Sequence, residues 1–292
     1  MFVATLVASG SMGQGDIAEA ADRLRDAGCA PSDCCWLDAD KAADLFFGAD
    51  PVAARAALAG VGAGIDIIVQ ATETREKKLL IADMDSTMIT VECIDELADY
   101  AGIKPQIAEI TERAMRGELD FAGALHERVA LLKGLEDAAI DLCRAERVVI
   151  MGGARALVRT MKARGARTLL VSGGFTRFTG PVAEEIGFDA AVANVLEIAD
   201  GALLGTVTTP IVDAARKRAE LEAAIAGGID RALTLAVGDG ANDIPMIQGA
   251  GLGVAYHAKP KTREAAAAEI IHGDLSVLLY AQGIASAAWV LG

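Results

Sequence analysis

From Lys78 onward the chain alternates short, continuous apolar runs with longer stretches whose apolar residues recur at helical spacing. The runs "KLLIADM", "RTLLVSG", "AAVANV", "LTLAVGD", "LGVAY" and "EIIH" are built from Val, Leu, Ile and Ala without alternation. That pattern predicts strands of a parallel sheet covered on both faces. Polar residues gather at the carboxyl ends of these runs, the edge at which open α/β sheets bind ligands. Between Val91 and about Ala163 only helical periodicity is present, which predicts a helical cap over about 91–163, inserted after the first core strand. In "EIADGALLGTVTTPIV" a "DG" pair separates two alternating segments and predicts a β-hairpin beside the same edge.

The first 70 or so residues follow a different rhythm. "FVATLVA" reads as a strand, "DIAEAADRLRDAG" as a helix closed by Gly, "CCWLDADKAADLFF" as a hairpin, "PVAARAALAGV" as a helix opened by Pro51, and "IDIIVQ" as a strand. The order β-α-β-β-α-β is that of a small ferredoxin-like or ACT-like α+β unit. The expected organisation is therefore an N-terminal unit over 1–72, a polar linker "ATETREKK", and an α/β unit over 73–292 with a Rossmann-like parallel sheet and an inserted helical cap. The apolar stretch "LSVLLYAQGIASAAWVLG" near the C-terminus contains Gln282 and several small residues, and is expected as a buried core helix instead of a membrane span.

Composition narrows the function. At 292 residues and 53% hydrophobic, the chain has ample material for buried cores. A formal net charge of −14 with no basic stripe argues against a nucleic-acid partner. The five cysteines form an odd set without CxxC spacing, and no basic segment precedes the apolar N-terminal run, so the expectation is a cytoplasmic protein with no membrane partner and a homodimer as the candidate assembly.

The chemistry is concentrated at four strand ends: "DMDST" (83–87), "SGG" (172–174), Lys217 in "DAARKRAE", and "GDGANDIPM" (238–246). Asp83 and Asp85, two apart, would crowd their charges unless the chain leaves the strand or a cation lies between them. Together the four pieces read as equipment for phosphoryl transfer. Asp83 is the candidate nucleophile, forming an aspartyl phosphate. Asp85 is the candidate acid and base, giving a proton to the leaving oxygen and then activating water. Asp83, the backbone carbonyl of Asp85, and Asp239 offer the hard oxygen ligands that Mg2+ prefers. Ser172 and the N–H of Gly173 can hold phosphate oxygens, and Lys217 supplies a point charge between nucleophile and phosphate. Taken singly, Ser172 reads as a helix cap, Glu92 as an acid at a helix start, and Arg128 as a solvated charge.

These motifs, in this order, resemble those of the haloacid dehalogenase superfamily of aspartate-nucleophile phosphatases. Within it, "DSTMITVECIDELA", "FAGALHERVALLKG", "LLVSGGFTRF" and "VGDGANDIPMIQGAGLGVAYHAKPK" are similar to the bacterial phosphoserine phosphatase family over about 78–285. The resemblance implies a haloacid dehalogenase-type core and magnesium-dependent hydrolysis of O-phospho-L-serine, the last step of serine biosynthesis. It also implies that Glu92 and Arg128 meet the amino and carboxylate groups of the serine moiety, that Asn242 holds the phosphate side, that Asp243 supports the metal from behind its ligands, and that Phe121 closes the cap. Three rivals are a different small phosphate ester, a dehalogenase, which needs neither Asp85 nor a metal, and an amino-acid-sensing module suggested by the N-terminal unit.

Overall fold

A computed structural model gives the fold of the chain and describes residues 1–116 and 118–291. The N-terminal elements are β1 (Phe2–Ala8), α1 (Gln14–Asp26), β2 (Pro31–Asp38), β3 (Ala42–Phe47), α2 (Pro51–Leu58) and β4 (Ile65–Ala71). The four strands form an antiparallel sheet in the order β2-β3-β1-β4. Alternation along β1 and β3 is replaced by near-complete burial, because both strands are internal and both faces are covered. One face packs α1 and α2 through Leu6, Leu24, Leu45, Phe47 and Leu58. Val7, Ala42 and Ile68 on the other face join the core of the remaining chain.

The six apolar runs become β5 (Leu79–Ala82), β6 (Arg167–Phe175), β7 (Ala190–Asn194), β10 (Thr234–Gly238), β11 (Leu252–Tyr256) and β12 (Ala268–Ile270). The hairpin lies between β7 and β10 as β8 (Leu196–Ala199) and β9 (Ala202–Val207). All neighbours in the six-stranded sheet are parallel, in the order β12-β11-β10-β5-β6-β7. The chain runs outward from β5 through β6 to β7, then returns to β10 on the other side of β5. That reversal opens a crevice at the carboxyl ends of β5 and β10.

Between β5 and β6 come α3 (Cys93–Tyr100), α4 (Lys104–Met115), α5 (Phe121–Ala130), α6 (Ala138–Arg147) and α7 (Ala154–Ala163). α3 packs on α4 and α6, and α4 packs on α5, as a cap should. α7 packs instead on β6 and on α8 (Thr176–Ile186). We therefore draw the cap as ending near Arg147, short of the 163 expected, since α7 has the strongly one-sided burial of a sheet-covering helix. The remaining helices are α9 (Ala214–Ala226), α10 (Ile244–Gly249), α11 (Pro260–Ala265) and α12 (Val277–Ala281). The expected long C-terminal core helix is only the short, buried α12, stopped by Gly283 at φ 77°. Among the described residues, no helix is long and apolar enough to cross a membrane.

The polar stretch expected as a linker is packed. Arg75 makes a two-pronged ion pair with buried Asp44, at 2.8 and 3.0 Å, and its Nε donates to the Ala281 carbonyl. Lys77 is buried, its Nζ 3.0 Å from the Ala232 carbonyl, and its backbone N–H donates to Gln282. Burial pushes the Lys77 amine down to about 8. Charge in the sequence suggested solvent; here the charges find partners on both units. Edge strand β4 lies alongside edge strand β12, and buried Asp66 on β4 accepts the N–H groups of Ile271, His272 and Gly273 at 2.8, 3.1 and 2.7 Å.

Replacing Asp66 with Ala removes the shared acceptor of three hydrogen bonds at a partly buried junction; each bond to a charged group contributes about 1.5–3 kcal/mol, part of which water recovers at the exposed Ile271 and His272. Asp66→Ala is expected to lower unfolding stability by at least ~2 kcal/mol in urea titration. A variant as stable as the parent would show that this junction contributes little.

Candidate active site

The strand ends bring most of the expected residues to one place. Asp83 follows the last residue of β5 and Asp239 follows the last residue of β10, so both project into the crevice. They line one cavity of about 390 Å3 together with Asp85, Gly173 and Asn242 from the sheet side and Glu92, Phe121 and Arg128 from the cap. Phe121, Leu125 and Arg128 occur at i, i+4 and i+7 of α5, so a single helical face presents them. The hairpin braces that helix: β9 packs on α5, and the Gly134 N–H donates to the Leu203 carbonyl at 2.9 Å.

Three of the expected residues lie beneath the cavity floor. Lys217 on α9 is fully buried, its Nζ 2.7 Å from Asp83 Oδ1 and 2.7 Å from Asp243 Oδ1. Asp83 Oδ1 also accepts the Met84 N–H at 2.7 Å, whereas no group among the described residues donates to its second oxygen. Both oxygens of Asp243 are engaged, one by Lys217 and the other by the Gly240 N–H at 3.0 Å. Ser172 is buried, accepts the Gly174 N–H at 2.8 Å and stands 3.5 Å from Asp85 Oδ2. Asp85 Oδ1 accepts the Cys93 N–H at the start of α3, which ties the second aspartate to the cap.

Burial dominates the electrostatics. It raises the proton affinity of Asp83 well above the carboxylate range, reinforced by Asp243 and opposed by Lys217. Asp85 is pushed up to about 6, first by burial and then by the charge of Glu92. Asp239 is pushed up to about 7 by burial, with Asp243 and Glu92 adding to it. Burial alone would lower the Lys217 amine, but Asp243 and Asp83 outweigh it and keep the ammonium charged. Arg128 is drawn down by burial, countered by Asp95 and Glu92.

The donor set suits a divalent cation. Oxygens of Asp83, Asp239 and Asp243 all lie within 4.8 Å of one another, and the three carboxylates face one ammonium, which leaves two negative charges. All are hard oxygen donors. Because Asp243 has no oxygen free, it supports the cluster while Asp83 and Asp239 keep ligand capacity.

Several residues in or beside the cavity escaped the sequence reading. Thr87 Oγ1 donates to Asp239 Oδ1 at 3.1 Å, linking the two strand ends, and Ser86 Oγ donates to Glu92 Oε1 at 2.6 Å from a backbone with φ 53°. Both hydroxyls stand inside "DMDST", directly after the two carboxylates. Asp95 lies three residues beyond Glu92 on the same face of α3, and Lys259 follows β11; the strand-end rule that found Asp83 and Asp239 also picks out Lys259.

This arrangement, with carboxylates at the switch point of a parallel sheet under a helical insertion, belongs to a recognisable class. The family model for haloacid dehalogenase-like hydrolases matches residues 80–248, and the chain belongs to that family. The chain is 47% identical over 227 residues to a phosphoserine phosphatase of Streptomyces coelicolor, a match covering 77% of this chain and 55% of that relative, so it spans about half of the relative's length. It is 48% identical over 208 residues to a phosphoserine phosphatase of Polaromonas sp., covering 69% of this chain and 88% of that one. The fold is similar to a probable phosphoserine phosphatase from Vibrio cholerae, with TM-score 0.78 and 31% identity, covering 98% of this chain and 88% of that one.

Gly238, the last residue of β10, leaves no room for a side chain: a Cβ there would lie 2.4 Å from Asp243 Cγ and 2.7 Å from its Cβ. Gly238→Ala is expected to displace Asp243, weaken the hold on Lys217, and lower both the melting temperature and any catalytic turnover, the latter by on the order of 100-fold, which is ~2.7 kcal/mol of barrier. Parent-like values in thermal denaturation and steady-state assay would show that Asp243 is not held as described.

Proposed function

We propose that this protein is a magnesium-dependent phosphatase that hydrolyses O-phospho-L-serine to L-serine and phosphate through an aspartyl-phosphate intermediate on Asp83. The observation that carries the reading is the single cavity with Asp83 and Asp85 on one side and the Glu92 and Arg128 pair on the other. A phosphate ester that also bears an ammonium and a carboxylate matches both ends of it. The relatives described above bear the name of this activity. In this reading the reaction is the last step of serine biosynthesis and takes place in the cytoplasm, a reducing compartment that five free cysteines fit.

In this reading the unengaged oxygen of Asp83 attacks phosphorus, and the bond from phosphorus to the serine oxygen breaks. Asp85 donates its proton to that oxygen, a task suited to a carboxyl pushed up to about 6. It then takes a proton from the water that attacks the aspartyl phosphate, so the second step restores both aspartates. Lys217 keeps its charge throughout and balances the nucleophile from below. Asp83, the Asp85 backbone carbonyl and Asp239 would hold Mg2+, which when bound adds positive charge beside the phosphoryl oxygens. Gly173 and Asn242 line the cavity where the phosphate would bind, and the Ser172 hydroxyl, under the floor, holds the Gly174 N–H and Asp85 in place there. Arg128 presents a planar fork to the serine carboxylate, and Glu92 meets the ammonium.

Phosphate release from phosphoserine, with magnesium and after chelation, tests the proposal directly: turnover is expected with the metal and its loss without. Asp83→Asn should abolish activity, and Asp85→Asn should lower it by on the order of 100-fold or more. Turnover confined to a different ester would redirect the substrate assignment, and metal-independent turnover would defeat the mechanism.

Arg128→Met is expected to reduce kcat/KM for phosphoserine far more than for p-nitrophenyl phosphate, which lacks the amino and carboxylate groups. Equal losses on the two esters would remove Arg128 from substrate selection.

A further inference from the structure

Lys259 has no place in the scheme above, yet it lines the same cavity. It sits in the turn that leaves the carboxyl end of β11, and the helix that follows, α11, packs on the Ala241–Asp243 turn beside Asp239. The turn is fixed independently of any ligand. His257 adopts φ 43°, a region that residues other than glycine rarely occupy, and its ring Nε2 lies 2.9 Å from the Gly273 carbonyl oxygen. Its N–H donates to the Ile270 carbonyl at 2.9 Å, and Pro260 fixes the backbone just beyond Lys259.

The charge balance of the cavity makes this position informative. Five carboxylates line it, from Asp83, Asp85, Glu92, Asp95 and Asp239, against two cations, Arg128 and Lys259. Lys217 is under the floor, its ammonium already shared by two aspartates. Arg128 comes from the cap, so Lys259 is the lining cation on the strand-end side, the side that also carries Asp239 and Asn242. It is exposed and makes no ion pair among the described residues. A phosphate dianion approaching a chain of net charge −14 and a cavity walled by carboxylates is repelled unless local positive charge meets it.

Resting on the phosphatase reading, we infer that Lys259 is a substrate-binding residue: it draws the phosphate dianion into the cavity and holds it at the mouth before Asp83 attacks. An exposed ammonium acts on the charge the substrate already carries, so it strengthens binding more than it lowers the chemical barrier. It reads the phosphate and not the serine moiety, which sets it apart from Arg128.

The test compares the parent with Lys259→Met, Lys259→Glu and Lys259→Arg in the presence of magnesium, measuring KM and kcat on phosphoserine and on p-nitrophenyl phosphate and inhibition by inorganic phosphate. Lys259→Met is expected to raise KM for both esters and weaken phosphate inhibition by similar factors of about 3- to 10-fold, with a smaller change in kcat. Lys259→Glu should be worse, Lys259→Arg close to the parent, and the differences should shrink at high salt. Calorimetric binding of inorganic phosphate reads the same contact without turnover. Unchanged KM and phosphate affinity in both the Met and Glu variants would overturn the inference, as would a loss seen with phosphoserine alone. A parent that releases no phosphate from any monoester defeats the functional reading, whereas an active parent matched by its Met and Glu variants defeats only the role of Lys259.

Discussion

Everything in the site is organised around the buried ammonium of Lys217, held at 2.7 Å from one oxygen each of Asp83 and Asp243. A charge with no solvent exposure is costly unless matched, and two carboxylates match it with one negative charge to spare. That surplus, together with Asp239, gives the crevice its appetite for a cation. The same contact orients Asp83, whose first oxygen is held by Lys217 and Met84 while the second remains available. Because Lys217 rides on α9 and the aspartates on β5 and the turn after β10, one ammonium joins three separate parts of the chain.

Legibility in the sequence followed physical lines. The parallel core could be read because buried strands have no polar face, so Leu79–Ala82 and Leu252–Tyr256 are uninterrupted apolar runs. The site aspartates were readable because carboxylates at the ends of such runs have few structural reasons to be there. The packing of the expected linker was not legible because Arg75 and Lys77 look solvated in sequence, and only distant partners, Asp44 and the Ala232 carbonyl, make their burial tolerable. Likewise α7 continues the helical periodicity of the cap, and only its packing on β6 and α8 assigns it to the sheet. The contributions of Ser86 and Thr87 were hidden for another reason: a hydroxyl shows its role only through what it touches, here Glu92 and Asp239.

The N-terminal sheet is joined to the rest by polar contacts as well as by shared core. Asp66 caps the chain after β12, Arg75 bridges Asp44 to the Ala281 carbonyl, and Tyr280 donates to Asp38. Such groups have fixed directions, so they set the orientation of one sheet against the other where apolar packing alone would permit sliding. None of these residues lines the cavity beneath the cap.

The two sides of that cavity have different origins in the chain. Asp83 and Asp239 stand on the ends of adjacent strands, whose spacing is dictated by backbone hydrogen bonds. Glu92 and Arg128 stand on helices of an insertion, braced by a hairpin. In the proposed reading, reaction chemistry and molecular discrimination are therefore carried by different segments of the chain. Under the proposed function, substitutions in the insertion would change which leaving group is accepted while the backbone ladder between β5 and β10 keeps the reacting carboxylates in register.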